Sequence, residues 1–365
     1  MRAIGLTAPP GYSYGRRLSS PSRLIAMPFL RGEDITYDHV RRLDPARAIA
    51  FLPVSALEVH GPHLPLGMDW YMARWMADET ARRFAQAHPE WTVVAMPPLA
   101  LGTDELPLRG SMNAPPGTLH RAVLAHGRAL AKAGYRYVVV TNGHGGPRHA
   151  AALEAACRRV SLRRNIQMFT PSIAVLHRII TGGRFALTEA LLGRALTDVE
   201  RHGLVIGEHA GGWETSFMLA HDARLVGDGY AALGPLAPPR WKPLERMGAW
   251  IAGRRERVGK DAAKIRQVFD GLAGSIGWLL NARFGYGGAE VSYKGDPSVA
   301  SVELGHVFRE ILARDCLAIV EEVTSGHRVA ADVRSIASDH AVIQPGFFVK
   351  VGVVVAALVL VLAAF

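Results

Sequence analysis

The sequence predicts an α/β protein, and three observations carry that prediction. Residues 48–54, Ala-Ile-Ala-Phe-Leu-Pro-Val, form a short continuous apolar run with the composition of a buried strand. Residues 135–141, Tyr-Arg-Tyr-Val-Val-Val-Thr, give the clearest strand signal in the chain and run straight into Asn142-Gly143-His144-Gly145-Gly146. A helical stretch over 149–162 follows. Strand, glycine turn and helix in that order are the unit of a parallel α/β sheet.

The remaining elements fit around these. Residues 1–24 read as an irregular basic leader, and 34–47 as a helix leading into the first strand. Over 70–87 the spacing of Met72, Trp75, Met76, Thr80 and Phe84 predicts an amphipathic helix. A short strand over 92–96 ends at Pro97-Pro98, and the Gly- and Pro-rich segment 101–117 reads as a loop with functional potential. A helix over 120–133 is capped by Gly134. Another strand is expected over 166–173, then helices over 187–199, 217–220 and 302–323. Residues 285–305 form a second small-residue loop. No internal repeat or low-complexity tract is present.

A chain of 365 residues can bury a sizeable core. Its formal net charge of +10 raises the possibility of nucleic acid or an anionic surface as partner. Zinc-finger spacing is absent, and no aromatic stacking motif is interleaved with the basic residues, so nucleic acid is not expected. Residues 240–266 carry nine Lys/Arg against three acids, which suits either a solvated helix face or contact with anionic lipid. Cys157 and Cys316 lie far apart in helical segments, which argues against a disulfide framework. From Phe347 to Phe365 the only charge is Lys350. Nineteen helical residues span about 28 Å, close to a bilayer's hydrocarbon thickness. A C-terminal single-pass anchor over 347–365 is therefore expected. With no signal peptide, the body would sit on the cytoplasmic face of the membrane.

The chemistry concentrates in the loop after the first strand. Glu58, His60, His63 and Asp69 fall within twelve residues whose backbone Pro62, Gly61 and Pro65 keep irregular. Glu58 and His60 are two apart, so extended backbone points both to one side. Asp69 returns to them only if the loop folds back. Oxygen and nitrogen donors converging in this way suit Zn²⁺, Mn²⁺ or Fe²⁺. His144 is placed at a strand's carboxyl end by its neighbouring glycines. In Gly207-Glu208-His209-Ala210-Gly211-Gly212-Trp213-Glu214, Glu208 and His209 suit acid–base work and Glu214 suits a metal. Taken singly, each is more often a surface or helix-end residue; Glu214, for example, suits a first-turn carboxylate favoured by the helix dipole.

Four motifs occur in the order found in one family. Glu58-x-His60-Gly61-Pro62-His63-Leu64-Pro65 with Asp69, Asn142-Gly143-His144-Gly145-Gly146, His209-Ala210-Gly211 with Glu214-Thr215-Ser216, and Gly295-Asp296-Pro297-Ser298 together resemble the creatininase family. The likeness covers residues 25–325. It implies a single three-layer α/β domain with a central, largely parallel sheet flanked by helices. A basic insertion at about 235–270 and a linker over 326–346 lie outside the usual pattern. The resemblance further implies two divalent metal ions per subunit, hydrolysis of a C–N bond in an amide, cyclic amide or formamide, and a homo-oligomer such as a hexamer. Members include creatininase, a formamide deformylase and a peptidase of mycofactocin maturation. Carried over by position, Glu58 and His144 hold one metal, His60 the other, and Asp69 bridges them.

Creatininase proper has a glutamate two residues after the metal-binding histidine, where this chain has Gly146. Glu214 is the expected substitute, which argues against creatinine as substrate. Related proteins also carry a Glu-His pair where this chain reads Glu105-Leu106, and an asparagine where it has Pro147. The mechanism expected is attack by a metal-generated hydroxide, with His209 as general acid to the leaving nitrogen and Glu208 as its orienter. His63 is expected to support the ligands without being one. The competing reading is a catalytically silent scaffold attached to the membrane, which has no need to keep Glu58, His60, Asp69, His144 and Glu214 together.

Overall fold

A computed structural model describes residues 29–237, 240–257, 262–284 and 292–335. Its centre is an all-parallel sheet built from β1 (Leu30–Arg31), β2 (Ala48–Ser55), β3 (Thr92–Ala95), β4 (Leu99–Ala100), β5 (Tyr137–Thr141) and β6 (Gln167–Phe169). The strand order is β1-β3-β2-β5-β6, with β4 pairing to the end of β2. Every pairing is parallel, as crossover helices require.

Burial on both faces explains why β2 and β5 read as unbroken apolar runs. All eight residues of β2 are buried. Ile49 and Phe51 point into one apolar cluster, and Ala48, Ala50, Leu52 and Val54 into another. Val139 of β5 joins the first cluster, while Val138 and Val140 join the second.

The first layer of helices holds α2 (Met68–Ala87), α5 (Ser172–Ile180), α6 (Phe185–Leu192), α8 (Gly212–Asp222) and α11 (Val302–Thr324). Met72, Met76 and Phe84 of α2, Trp213 and Phe217 of α8, and Phe308 and Ile311 of α11 fill that layer. The opposite layer is α3 (Pro116–Ala133) and α4 (Pro147–Arg164), with Val123, Leu153 and Val160 packed on the sheet. Short helices α1 (Tyr37–Arg41) and α7 (Asp198–Gly203) sit in connections. The basic stretch folds into α9 (Lys242–Glu256) and the start of α10 (Ala263–Phe284), where Gly248 packs closely on Phe269. Several of its charges are spent on local ion pairs: Arg240 with Glu245 and Asp270, and Arg266 with Glu256.

The structure differs from the sequence reading in four places. The helix expected over 34–47 is only α1, Tyr37–Arg41, with a separate 3₁₀ turn over Pro45–Arg47. The strand expected over 166–173 stops at Phe169, and Ser172 already begins α5. The helix expected over 187–199 is two helices, because Gly193 takes a left-handed conformation (φ 69°) and ends α6. The membrane assignment is also corrected. Among the described residues no helix is long and apolar enough to cross a membrane. The longest, α11, has 23 residues and carries Arg309, Glu310, Arg314 and Asp315 in mid-helix. Residues 347–365, like the leader 1–24, lie outside the described residues. The described residues thus form a parallel α/β body without a spanning helix, and placement on the cytoplasmic face of a membrane is withdrawn.

Candidate metal centre

The cluster forms where the central strands end. β2 and β5 are neighbours, paired up to Pro53 and Thr141, so the loops leaving them emerge side by side. Their ends are stapled. Ser55 Oγ donates to Asn142 Oδ1 (2.9 Å) and accepts from Gly143 N (3.2 Å). Asn142 also brackets His144, accepting from its amide (2.9 Å) and donating to its carbonyl (2.7 Å).

After β2 the chain folds back on itself. Glu58 N donates to the Leu66 carbonyl (2.9 Å) and Leu64 N to that of His60 (3.3 Å). Gly61 turns the chain at φ 65°, a conformation that favours glycine. The return delivers Asp69 to the first turn of α2, where the helix dipole favours a carboxylate. Glu214 occupies the first turn of α8 and accepts from Ala210 N (2.6 Å).

Six ionisable side chains meet in this space, and Glu58, His60 and Asp69 are each only 1% exposed. His144 Nδ1 lies 3.0 Å from Glu58 Oε2 and 3.0 Å from Asp69 Oδ2. His60 Nε2 lies 3.2 Å from Asp69 Oδ1 and 3.6 Å from Glu214 Oε2. Asp69 therefore offers one oxygen to each half. His209 stacks on His60 with ring centroids 4.2 Å apart, and its Nδ1 is 3.9 Å from Glu58 Oε2. Three donor groups result, each with atoms within 4.8 Å of one another: Glu58–Asp69–His144, His60–Asp69–Glu214 and Glu58–His60–His209.

All three imidazoles are held from behind by main-chain carbonyls. His60 Nδ1 donates to Glu58 O (3.0 Å), His144 Nε2 to Thr103 O (3.0 Å) and His209 Nε2 to Val59 O (2.8 Å). A carbonyl only accepts, so each bond fixes the tautomer and leaves the front nitrogen facing the carboxylates.

The charges are strongly coupled. Burial works against ionised Glu58, but His144, His209 and His60 outweigh it and bring the carboxyl down to about 2. Asp69 is also held well below the usual carboxylate range, by His60 and His144 against its burial. Burial disfavours charge on His60, yet Asp69, Glu214 and Glu58 carry it up to about 10, and His144 is likewise raised. Burial pushes Glu214 up to about 7. His209 is pushed down to about 3 by burial and by His60, so its ring is neutral.

A divalent cation fits these donors. Among the described residues Glu58 Oε2 and His60 Nε2 are buried without a hydrogen-bond partner. Tetrahedral Zn²⁺ with bonds of ~2.0–2.1 Å spaces its donors roughly 3.3 Å apart, and the separations above bracket that value. Two expected site residues stand apart from the donor groups. Glu208 accepts from Glu214 N (3.0 Å) and Trp213 N (3.4 Å), so its carboxylate caps the start of α8. His63 Nε2 bonds to Thr215 Oγ1 (2.9 Å). Asn142, Ser55 and the main chain of Thr103 and Leu106 hold the cluster without having been expected to. Only Asn142 lay within a recognisable motif. A separate cavity of about 390 Å³ lies along α4 and β6, lined by Arg158, Arg159, Arg163 and Arg334, and shares no residue with the cluster.

A parallel α/β body with buried carboxylates and imidazoles at its central strand ends defines the class of metal-dependent hydrolases. The family model described as creatininase, creatinine amidohydrolase, matches residues 33–320. The chain belongs to the creatininase family, whose members are metal-dependent amidohydrolases. It is 33% identical over 121 residues to the mycofactocin precursor peptide peptidase of Mycolicibacterium smegmatis, covering 33% of this chain and 48% of that protein. The counterpart from Mycobacterium ulcerans is 34% identical over 115 residues, covering 30% and 44%. The aligned stretch spans just under half the length of these curated relatives. Among solved structures, a manganese form of creatininase superposes with a TM-score of 0.53 at 20% identity, covering 80% of this chain and 98% of that one. A zinc–zinc type of a mutant creatininase gives 0.52 at 19%, with 80% and 98% covered. Identities this low speak to the fold.

Proposed function

We propose that this protein hydrolyses a C–N bond in an amide or short peptide other than creatinine, using two divalent cations. Glu58, Asp69 and His144 would hold one cation, and His60, Asp69 and Glu214 would hold the other. The observation that carries this reading is that His60 and His144 each have the rear N–H tied to a main-chain carbonyl and the front nitrogen turned to buried carboxylates. That is the outer-shell arrangement of metal-binding histidines, and it has no use in a silent scaffold.

A bound cation pair supplies Lewis acidity at the substrate carbonyl and lowers the pKa of a water. Asp69, fixed in the first turn of α2, keeps the two halves in register. His209, neutral and with its Nε2 proton committed to Val59, presents Nδ1 as an acceptor beside Glu58. It takes the proton of the attacking water and returns it to the leaving nitrogen. Glu208 acts on Glu214 by capping α8 rather than on the substrate. Gly146 leaves no carboxylate where creatininase proper has one, which supports a substrate other than creatinine. The likeness to mycofactocin precursor peptide peptidases supports a peptide amide.

Elemental mass spectrometry on the purified protein beside Asp69→Ala tests this. About two metals per chain, lost in the variant, is the expected result. No metal in either protein after incubation with Zn²⁺, Mn²⁺ and Fe²⁺ would overturn it.

A further inference from the structure

The loop between β4 and α3 contributes no donor atom to the centre, yet its main chain grips two of the residues that do. Leu106 N donates a short hydrogen bond to Glu58 Oε1. The Thr103 carbonyl accepts from His144 Nε2 at 3.0 Å. Thr103 N in turn donates to Nδ1 of the fully buried His149 at 3.3 Å. Glu58 and His144 stand with Asp69 in one donor group, and in the two-cation assignment above they belong to that half alone.

Asp104, between those two contacts, adopts φ 75°, a left-handed conformation that side chains rarely take. Something must hold it there. Its Oδ2 accepts from Arg148 N at 2.5 Å, and its Oδ1 accepts from Arg148 Nε. Arg148 is the second residue of α4, the helix that follows directly on the loop carrying His144. The neighbouring Glu105 does not share this task, because both its buried carboxylate oxygens lack a hydrogen-bond partner among the described residues.

We propose that residues 103–106 form a strap, fastened by Asp104 to Arg148, which positions Glu58 and His144 and so sets the metal affinity of that half alone. Asp104 and Arg148 are then positioning residues. This rests on the dinuclear reading above. Outer partners of metal ligands commonly change affinity by about 10–100-fold when lost.

The test is extraction of Zn²⁺ from the full chain by a graded series of chelators, which yields two successive dissociation constants. Asp104→Gly accepts the left-handed backbone while removing the whole clasp, and Arg148→Ala removes its side-chain half, leaving the bond from Arg148 N. Asp104→Gly should weaken one constant by roughly 10–100-fold and Arg148→Ala the same constant by a smaller factor, each leaving the other constant within about twofold and the unfolding midpoint little changed. Arg148→Lys should restore much of the loss, and Glu214→Gln should weaken the constant the strap variants spare. Unchanged constants in both strap variants would overturn the strap and leave the dinuclear centre standing. A parallel fall in both constants with early melting would reduce the strap to general structure and overturn it too. A wild-type chain that takes up no Zn²⁺ would overturn the dinuclear reading and the strap together.

Discussion

Gly143→Ala tests the geometry of the centre without touching a donor. Gly143 stands between Asn142 and His144, with its Cα against the backbone of Asp69. A methyl carbon added there would lie 3.0 Å from both the carbonyl carbon and the Cα of Asp69, and closer still to its carbonyl oxygen. Carbon atoms in ordinary contact sit ~3.5–4.0 Å apart, so the two backbones must separate by roughly 0.5–1 Å. Neither can turn aside as a side chain would. One is the first turn of α2 and the other is stapled to Ser55. Overpacking of this kind costs about 1–3 kcal/mol, or roughly 2–5 °C in unfolding midpoint for a body of this size. The same displacement parts Asp69 from His144, which tolerate little change if both hold one ion, and metal affinity should fall by about 10–100-fold. Differential scanning fluorimetry and elemental mass spectrometry on the same preparation read both effects. Gly143 does not have a positive φ, so alanine brings no backbone strain of its own. A variant with full metal content and an unchanged midpoint would refute the close approach and the role assigned to Asp69.

Three further outcomes follow from the packing and charge. At Gly305, an added methyl would press on the Ser216 carbonyl of α8, with Ala220 Cβ at 2.7 Å; Gly305→Ala should lower stability by about 1–3 kcal/mol in chemical denaturation while sparing the ligands. Burial pushes the Cys316 thiol up to about 12 and raises Cys157 as well, so neither thiolate forms at pH 8; a thiol reagent should label the folded chain slowly and label both residues at the rate of unfolding. Stripping metal with a strong chelator leaves three buried carboxylates within one cluster and should lower the unfolding midpoint in proportion to the logarithm of free metal on refilling; a midpoint indifferent to metal would count against the centre.

The fold was legible where burial writes itself into composition. β2 and β5 are apolar on both faces, and the amphipathic spacing of α2 survives in its buried Met72, Met76 and Phe84. It was illegible where a local signal competes with tertiary context. Residues 166–169 suit a strand, but Pro171 breaks it, Ser172 Oγ accepts from Asn142 N, and α5 begins at Ser172. The glycines of 143–146 were read as a sharp turn, whereas at Gly143 the requirement is room for Asp69. The side chains that converge at the centre carry recognisable types at recognisable spacing. The groups that orient them are carbonyls of Glu58, Val59 and Thr103 and an amide of Leu106, and every residue type offers those alike. Sequence letters cannot mark them.

The donors come from three stretches of chain, running from Glu58 to Glu214, that meet only once a parallel sheet with crossover helices has closed. Such long-range pairing is slow, because the entropy of closing large loops is lost before the contacts that reward it form. No three-donor group is complete within any one of these stretches, because each also needs His144, His209 or Glu214. Metal capture belongs at the end of folding, after α8 docks and brings Glu214 to His60. During refolding, the arrival of bound metal should lag behind the recovery of secondary structure, which makes the ion a clock for the final docking step.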